Sequence, residues 1–218
     1  IAKDLQAKLK GEVTLEEVDR ERVARDTSLF YVKPEIVVYP KDAHDICSLL
    51  EYVTMKKKEG LRIAVSMRSA GTCMTGGSLT YSILVDTTKY MNKVSDVTKY
   101  AATAEPGVYY RDFEKHTLSE GWLMPSYPAS RELAAIGGII SNNSGGEKTL
   151  TYGKTERYVQ SLDVVYANGK RDVLHAFAGD ELTSKMAENS EGGRIHQEMF
   201  ALINDNYDVI MKAKPTVS

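Results

Sequence analysis

Cysteine is scarce: 218 residues contain only Cys47 and Cys73. Two thiols cannot build a disulfide framework or a zinc pattern, so both are read as free and in a reducing compartment. No apolar run approaches the ~20 residues of a membrane span, and the opening Ile1-Ala2-Lys3-Asp4 lacks the apolar stretch of a signal peptide. Charge of one sign is missing too. The 28 Lys and Arg residues stand against 30 Asp and Glu, and Lys56-Lys57-Lys58 is the longest basic run. That excludes the concentrated positive footprint that nucleic acid requires. The four histidines (44, 116, 175 and 196) have no partner at ligand spacing, so no metal site is expected. Ser144 sits outside any Gly-x-Ser-x-Gly elbow, which removes a serine-hydrolase reading. The chain starts at Ile1 and stops just after a helical pattern, and is expected to be an excised piece of a longer protein.

What is present is an ordinary globular balance, 42% hydrophobic and 27% charged. The length fits one or two domains, with a core large enough to need no staple. Helical patterns occupy residues 1–10, a short stretch within 16–25, Asp42 to Gly60, about 109–120 and about 195–211. In the third of these, Ile46, Leu49, Leu50 and Val53 recur at one-face spacing behind the capping Asp42. Strands are expected at 35–39, 62–66, 83–86, 100–104, 162–166 and 172–176. The last two are joined by Asn168-Gly169, which signals a two-residue hairpin turn. Strand 35–39, the helix after it and strand 62–66 make a βαβ unit. The class is α+β. Three parts are expected: a helical lead-in at 1–29, a central domain at 30–178 divided near residue 90, and a helical start of a further region at 179–218.

Glycine carries the most information. Ten of the 16 fall between Gly71 and Gly153, where backbone must turn sharply or approach a ligand closely. The first cluster, Arg68-Ser69-Ala70-Gly71-Thr72-Cys73-Met74-Thr75-Gly76-Gly77-Ser78, follows a strand directly. Its amides and hydroxyls suit a phosphate or diphosphate. Gly71 to Ser78 nearly spells a Walker A loop, but Gly77 stands where the lysine belongs, which disfavours triphosphate hydrolysis. Taken alone, the loop fits a phosphate cradle and a plain glycine-rich turn equally. Cys73 could be activated by neighbouring amides, with a packing role preferred. The second cluster, Ala135 to Gly146, holds Gly137-Gly138, Ser141-Asn142-Asn143-Ser144 and Gly145-Gly146. Alone, it reads best as a helix with tight glycine contacts and a cap. Trp122 and Tyr127 are read as packing residues.

Together the clusters resemble the FAD-binding domain of vanillyl-alcohol-oxidase-type (PCMH-type) flavoproteins, with the nearest look to D-lactate dehydrogenase and glycolate oxidase flavoprotein subunits. The resemblance covers about residues 30–178. It rests on the Arg68–Gly77 loop, Glu105-Pro106-Gly107, Ile136 to Gly146, Tyr152-Gly153 through Val159, and the Leu162–Leu174 hairpin. Met67 and Ala70 depart from the family's proline and glycine.

The resemblance implies a small βαβ-containing subdomain beside a larger mixed or antiparallel sheet subdomain flanked by helices. It also implies that Arg68, Ser69, Ala70, Gly71, Thr72, Cys73, Thr75, Gly76, Gly77 and Ser78 hold the FAD pyrophosphate, with Pro106 and Gly107 nearby. Pro128, Ala129, Ala134, Ile136, Gly137, Gly138, Ser141, Asn142, Gly145 and Gly146 would line the isoalloxazine and ribityl chain. Tyr152, Gly153, Val159 and Val164 would reach toward the adenine. Thr72 stands where some members carry a histidine that attaches FAD, so non-covalent FAD is expected.

The implied activity is oxidation of a small 2-hydroxy acid, of D-lactate or glycolate type, by hydride transfer to FAD. Substrate and base residues would lie on a following cap domain, so no catalytic residue is named. The electron acceptor is unassigned. The location is expected to be cytoplasmic, with peripheral attachment to the inner face of the membrane left open. Two alternatives stand: a sugar-nucleotide reductase on the same fold, and a degenerate nucleotide-binding module without its own catalysis.

Overall fold

The computed structural model describes residues Ile1 to Pro215. They divide into two compact units, one of residues 1–159 with 167–169, the other of 160–166 with 170 onward.

The first unit opens with α1 (Ala2–Lys8), β1 (Glu12–Thr14) and α2 (Glu17–Arg22), followed by β2 (Ile36–Tyr39), α3 (Ala43–Lys58), β3 (Val65–Arg68) and β4 (Ile83–Asp86). The strands make one sheet in the order β1-β2-β4-β3. β1 runs antiparallel to β2, whereas β2 and β3 both run parallel to β4. The expected βαβ crossover is therefore present, but β4 is inserted between its two strands. Every residue of β2 and β4 is buried, as expected of parallel strands covered on both faces. One face packs Ile36, Val38, Ile83 and Val85 against Leu5, Leu9, Leu49, Tyr52 and Val53. The other packs Val37, Tyr39 and Leu84 against Val23. Asp42 caps α3 by accepting from the Asp45 amide at 3.1 Å, and Gly60 closes it at φ +91°.

β3 lies later than the 62–66 pattern suggests. The Ala64 amide donates to the Ser82 hydroxyl, and pairing with β4 begins only at Val65↔Ile83 and ends at Arg68↔Asp86. The strand thus runs straight into the first residue of the glycine loop.

A second core of the same unit gathers Val108, Tyr110, Phe113, Tyr127, Ala134, Ile136 and Ile139. It is built from a short ribbon of β5 (Val94–Ser95) and β6 (Thr103–Ala104), α4 (Tyr110–Ser119) and α5 (Ile136–Ser141). The strand expected at 100–104 shrinks to two residues. The Thr98 hydroxyl accepts from the amides of Tyr100 and Ala101 and closes a turn there instead. α6 (Thr149–Tyr152) and a 3-10 turn at Thr155–Tyr158 complete the unit.

The second unit holds a two-stranded ribbon, β7 (Ser161–Val165) with β8 (Arg171–His175), then α7 (Gly179–Ala187), α8 (Glu191–Asp205) and α9 (Tyr207–Ala213). The Tyr166 amide still donates to the Lys170 carbonyl. The hairpin turn is therefore the three residues Ala167-Asn168-Gly169 with Gly169 at φ +82°, and not a two-residue Asn-Gly turn. The single helix expected at 195–211 breaks at Asn206, whose side chain donates to the Leu202 carbonyl at 2.8 Å. α8 starts earlier than expected, at Glu191, where the Ser190 hydroxyl accepts from the Gly193 amide. A side chain at Gly192 would displace the Asp172 carboxylate. Lys185, 7% exposed, holds Asp172 at 2.9 Å and Glu188 at 2.9 Å and pins the ribbon to the helices of this unit.

Candidate functional site

Three segments distant in sequence meet beyond the end of β3. Ser69 donates its hydroxyl to the Pro106 carbonyl at 3.0 Å, and the Gly137 amide donates to the same carbonyl at 2.9 Å. The three approach so closely that a Cβ on Gly137 would lie 2.7 Å from Pro106 Cβ and 2.8 Å from Ser69 Oγ. Gly107 is equally constrained: its amide donates to the Met91 carbonyl, and a side chain there would strike the Thr87 carbonyl. Thr87, 2% exposed, ties the loop to β4 by donating to the Arg68 carbonyl at 3.2 Å. Sequence reasoning missed this residue, because a lone threonine after a strand carries no motif.

Within the loop, Gly71 and Gly76 adopt φ of +72° and +78°, a region closed to most side chains. A side chain at Gly71 would also overlap the Arg68 guanidinium, which folds back over it. Among the described residues, no amide from Ser69 to Ser78 donates to a backbone carbonyl. Those of Thr75 and Gly77 point at the Cys73 sulfur instead. With the Thr75 hydroxyl as the largest influence, they hold the Cys73 thiol below its ordinary range. Burial pushes the Arg68 guanidinium down, with Asp86 and Asp26 opposing that and Arg22 reinforcing it. Asp86 itself is occupied by Arg22 at 2.9 Å and by Thr88.

Two buried side-chain polar atoms among the described residues have no hydrogen-bond partner: Arg68 Nη1 and Ser126 Oγ. Such atoms are costly to leave unpaired. The first heads the glycine loop. The second lies in Pro125–Ser130, beside the second glycine cluster. There the Thr155 hydroxyl donates to the Ser144 carbonyl at 2.8 Å and also lies 3.3 Å from the Ser126 carbonyl. Gly146 packs on the backbone of Tyr127, Pro128 and Ala129, with no room for a side chain. Asn143, at φ +44°, accepts from the Glu156 amide. The second cluster thus does form a helix with tight glycine contacts, and that helix is also what meets the first loop.

The profile of the family described as "FAD binding domain" matches residues 34–174. The chain belongs to that family. This FAD-binding domain is 32% identical over 176 residues to the glycolate oxidase subunit GlcD of Bacillus subtilis, covering 76% of the chain and 36% of that relative. It is 23% identical over 215 residues to a D-2-hydroxyglutarate dehydrogenase of Pantoea ananatis, covering 95% and 20%. The chain therefore spans between about a fifth and a third of the length of these relatives. Among solved structures, an alkyldihydroxyacetonephosphate synthase shares the fold at TM-score 0.68 and 19% identity, over 81% of this chain and 36% of that one.

The residues present fit FAD. The buried, unpaired Arg68 Nη1 and loop amides that no backbone carbonyl accepts suit its diphosphate. Of the glycines in the second cluster, Gly138 leaves open backbone, since a Cβ there would meet nothing nearer than Ser69 Cβ at 4.0 Å.

The other expected site residues are spread more widely. Ala70, Thr72, Cys73, Thr75, Gly77 and Ser78 share the loop with Arg68, and Ser78 is buried. Ala134 and Ile136 are buried core side chains of the second cluster, and their amides are spent on the Ser130 and Val108 carbonyls. Ser141 ends α5, donating to the Gly137 carbonyl, and Asn142 caps it. Tyr152 is 46% exposed at the end of α6, and Gly153 turns the chain at φ +79°. Val159 follows the 3-10 turn. Val164 lies on β7, in the second unit.

Two other features do not carry cofactor chemistry. An open depression of about 230 Å³ is lined by Asp19, Arg22, Tyr39, Thr88 and Lys89. Its cations are already engaged, Arg22 by Asp86 and Lys89 by Glu12. Asp42, His44 and Asp45 place ligand atoms within 4.8 Å of one another. Asp45, however, is spent on the amides of Lys10, Gly11 and Lys41. No described helix is long and apolar enough to cross a membrane.

Proposed function

We propose that this chain holds FAD non-covalently for an oxidoreductase that acts on a small 2-hydroxy acid. The observation that carries the reading is Arg68 Nη1, buried and unpaired at the head of a loop in which no amide from Ser69 to Ser78 donates to a backbone carbonyl. Arg68 and the amides of Ser69 to Ser78 bind the diphosphate. Gly137, Gly138, Gly145, Gly146, Pro128 and Ala129 bring backbone against the isoalloxazine and ribityl chain and exclude water from that face. Val159 serves the adenine. When bound, FAD supplies the hydride acceptor. Thr72 takes the loop position where a covalent link would need a histidine, and no histidine lies between His44 and His116. Support for the substrate class comes from the names of the relatives, which act on glycolate and D-2-hydroxyglutarate.

The test is a titration of the chain with FAD, followed by flavin fluorescence and visible absorbance, then acid precipitation. Flavin should appear in the supernatant, and colour retained in the pellet would overturn the non-covalent reading. Arg68→Gln removes a charge-assisted contact worth about 1.5–3 kcal/mol and should weaken FAD binding by roughly 10- to 150-fold. Unchanged affinity would sink the assignment of the loop. Rapid bleaching of the bound flavin by NADPH would refute the hydroxy-acid reading and favour a reductase.

A further inference from the structure

We infer that residues 26–30, which no motif marks, form a strap that sets the shape of the glycine loop, with Thr27 and Phe30 as positioning residues for the FAD diphosphate. The inference rests on the reading that Arg68 to Ser78 holds that diphosphate.

The strap is closed at its base, where the Val32 amide donates to the carbonyl of the fully buried Ala24 at 2.9 Å. Two local turns stiffen it. The Ser28 amide donates to Asp26 Oδ1 at 2.8 Å, and the Phe30 amide to the Ser28 hydroxyl at 3.2 Å. The strap then grips the loop at two points. Thr27 uses both of its donors on one acceptor: its amide lies 3.2 Å and its hydroxyl 2.9 Å from the Cys73 carbonyl. The peptide between Cys73 and Met74 is planar and trans, so its carbonyl and its N–H point in opposite directions. Drawing the Cys73 carbonyl toward the strap therefore turns the Met74 amide, which no backbone carbonyl accepts, away from it.

Farther along, the Phe30 ring lies flush on Gly76. A Cβ there would be 2.9 Å from Phe30 Cδ2, so the ring covers the residue whose φ of +78° reverses the loop. Asp26 completes the contact, with Oδ2 3.5 Å from the hydroxyl of the buried Ser78. The loop's own backbone bonds are few, the Leu79 amide to the Gly76 carbonyl among them. Its shape is accordingly borrowed from the strap.

A positioning strap predicts a loss of ligand affinity without loss of the fold. The full chain is titrated with FAD and, separately, with ADP, which presents a diphosphate without the flavin. Thr27→Val should weaken both ligands by about three- to tenfold, and Thr27→Ser should restore them to within about twofold. Phe30→Ala should act in the same direction. Thermal midpoints of the ligand-free variants should match the parent, and amide exchange should speed up at residues 74–77 only. Arg68→Gln is run alongside. If it weakens FAD and ADP while Thr27→Val leaves both unchanged, the strap proposal is overturned and the diphosphate reading stands. If neither variant changes affinity, the loop is not the diphosphate site, and both readings fall. A drop in thermal midpoint in parallel with affinity, without rescue by serine, would make Thr27 a merely structural residue and likewise overturn the proposal.

Discussion

Gly137 and Gly138 are neighbours in α5, yet they should respond oppositely to alanine. A Cβ on Gly137 would meet Pro106 Cβ at 2.7 Å and both the Pro106 carbonyl and Ser69 Oγ at 2.8 Å. Carbon atoms pack best at about 3.5–4.0 Å, so the overlap with Pro106 is about 0.8 Å, and two of the three obstacles belong to one proline held by hydrogen bonds. Overpacking of this kind costs about 1–3 kcal/mol, and the helical preference of alanine over glycine returns at most about 1 kcal/mol. Gly137→Ala should therefore destabilise the ligand-free chain by about 1–2 kcal/mol, a fall of roughly 2–8 °C in thermal midpoint for a chain of this size. It should also weaken FAD binding, because it pries the glycine loop from α5. At Gly138 the nearest atom to a Cβ is Ser69 Cβ at 4.0 Å, an ordinary contact. Gly138→Ala should leave the ligand-free midpoint unchanged or slightly raised. Calorimetry on the two variants, followed by flavin titration, decides the matter. Equal destabilisation by both, or none from Gly137→Ala, would refute the geometry from which the three-segment junction is built.

Three further outcomes are expected. Thr155→Val removes the hydroxyl that joins the Ser144 and Ser126 carbonyls inside the second cluster and should cost about 1–2 kcal/mol in urea unfolding; a neutral result would mean that the Thr155 amide, which also donates to the Ser144 carbonyl, is sufficient there. In a Cys47→Ser background, alkylation of Cys73 should reach half its maximal rate below the pH of about 8.5 typical of a free thiol. Thr75→Val should move that midpoint upward and bound FAD should slow the reaction, so a profile like that of free cysteine contradicts the loop geometry.

Lys185→Met should destabilise the second unit by about 2–3 kcal/mol, since it strands Asp172. Burial pushes the Asp172 carboxyl up, but its bonds to Lys185 and Tyr166 outweigh this and leave it below its ordinary range. Its contribution is thus present above about pH 4 and lost as pH falls through the lowered value. Thermal midpoints of Asp172→Asn should accordingly lose part of the parent's decline below pH 4; an identical acid limb would show that the pair does not control it.

Much of the element order is legible from local pattern. The strand at 36–39 and the capped helix after Asp42 follow from continuous apolar burial and from helical spacing, and both stand where expected. The helix in the second glycine cluster was legible as well, because Ile136 and Ile139 share one face. The misplacements share one cause: pairing partners, which local pattern does not contain. β3 is shifted by its register with β4, the 100–104 strand is cut short by the Thr98 turn, and the C-terminal helix breaks where Asn206 reaches back to Leu202.

The sequence by itself determined the chemistry available to this protein. It supplies a glycine loop rich in amides and hydroxyls behind a strand, and a second glycine cluster without charge. These depend only on residue type and spacing along the chain. Tertiary structure alone decided which of these features meet. It placed Pro106 between Ser69 and Gly137, left Arg68 Nη1 and Ser126 Oγ buried without partners, and laid Thr27 and Phe30 across the loop. Those arrangements depend on contacts 30 to 70 residues apart in sequence, and no local periodicity encodes a contact whose two halves are chosen by separate cores.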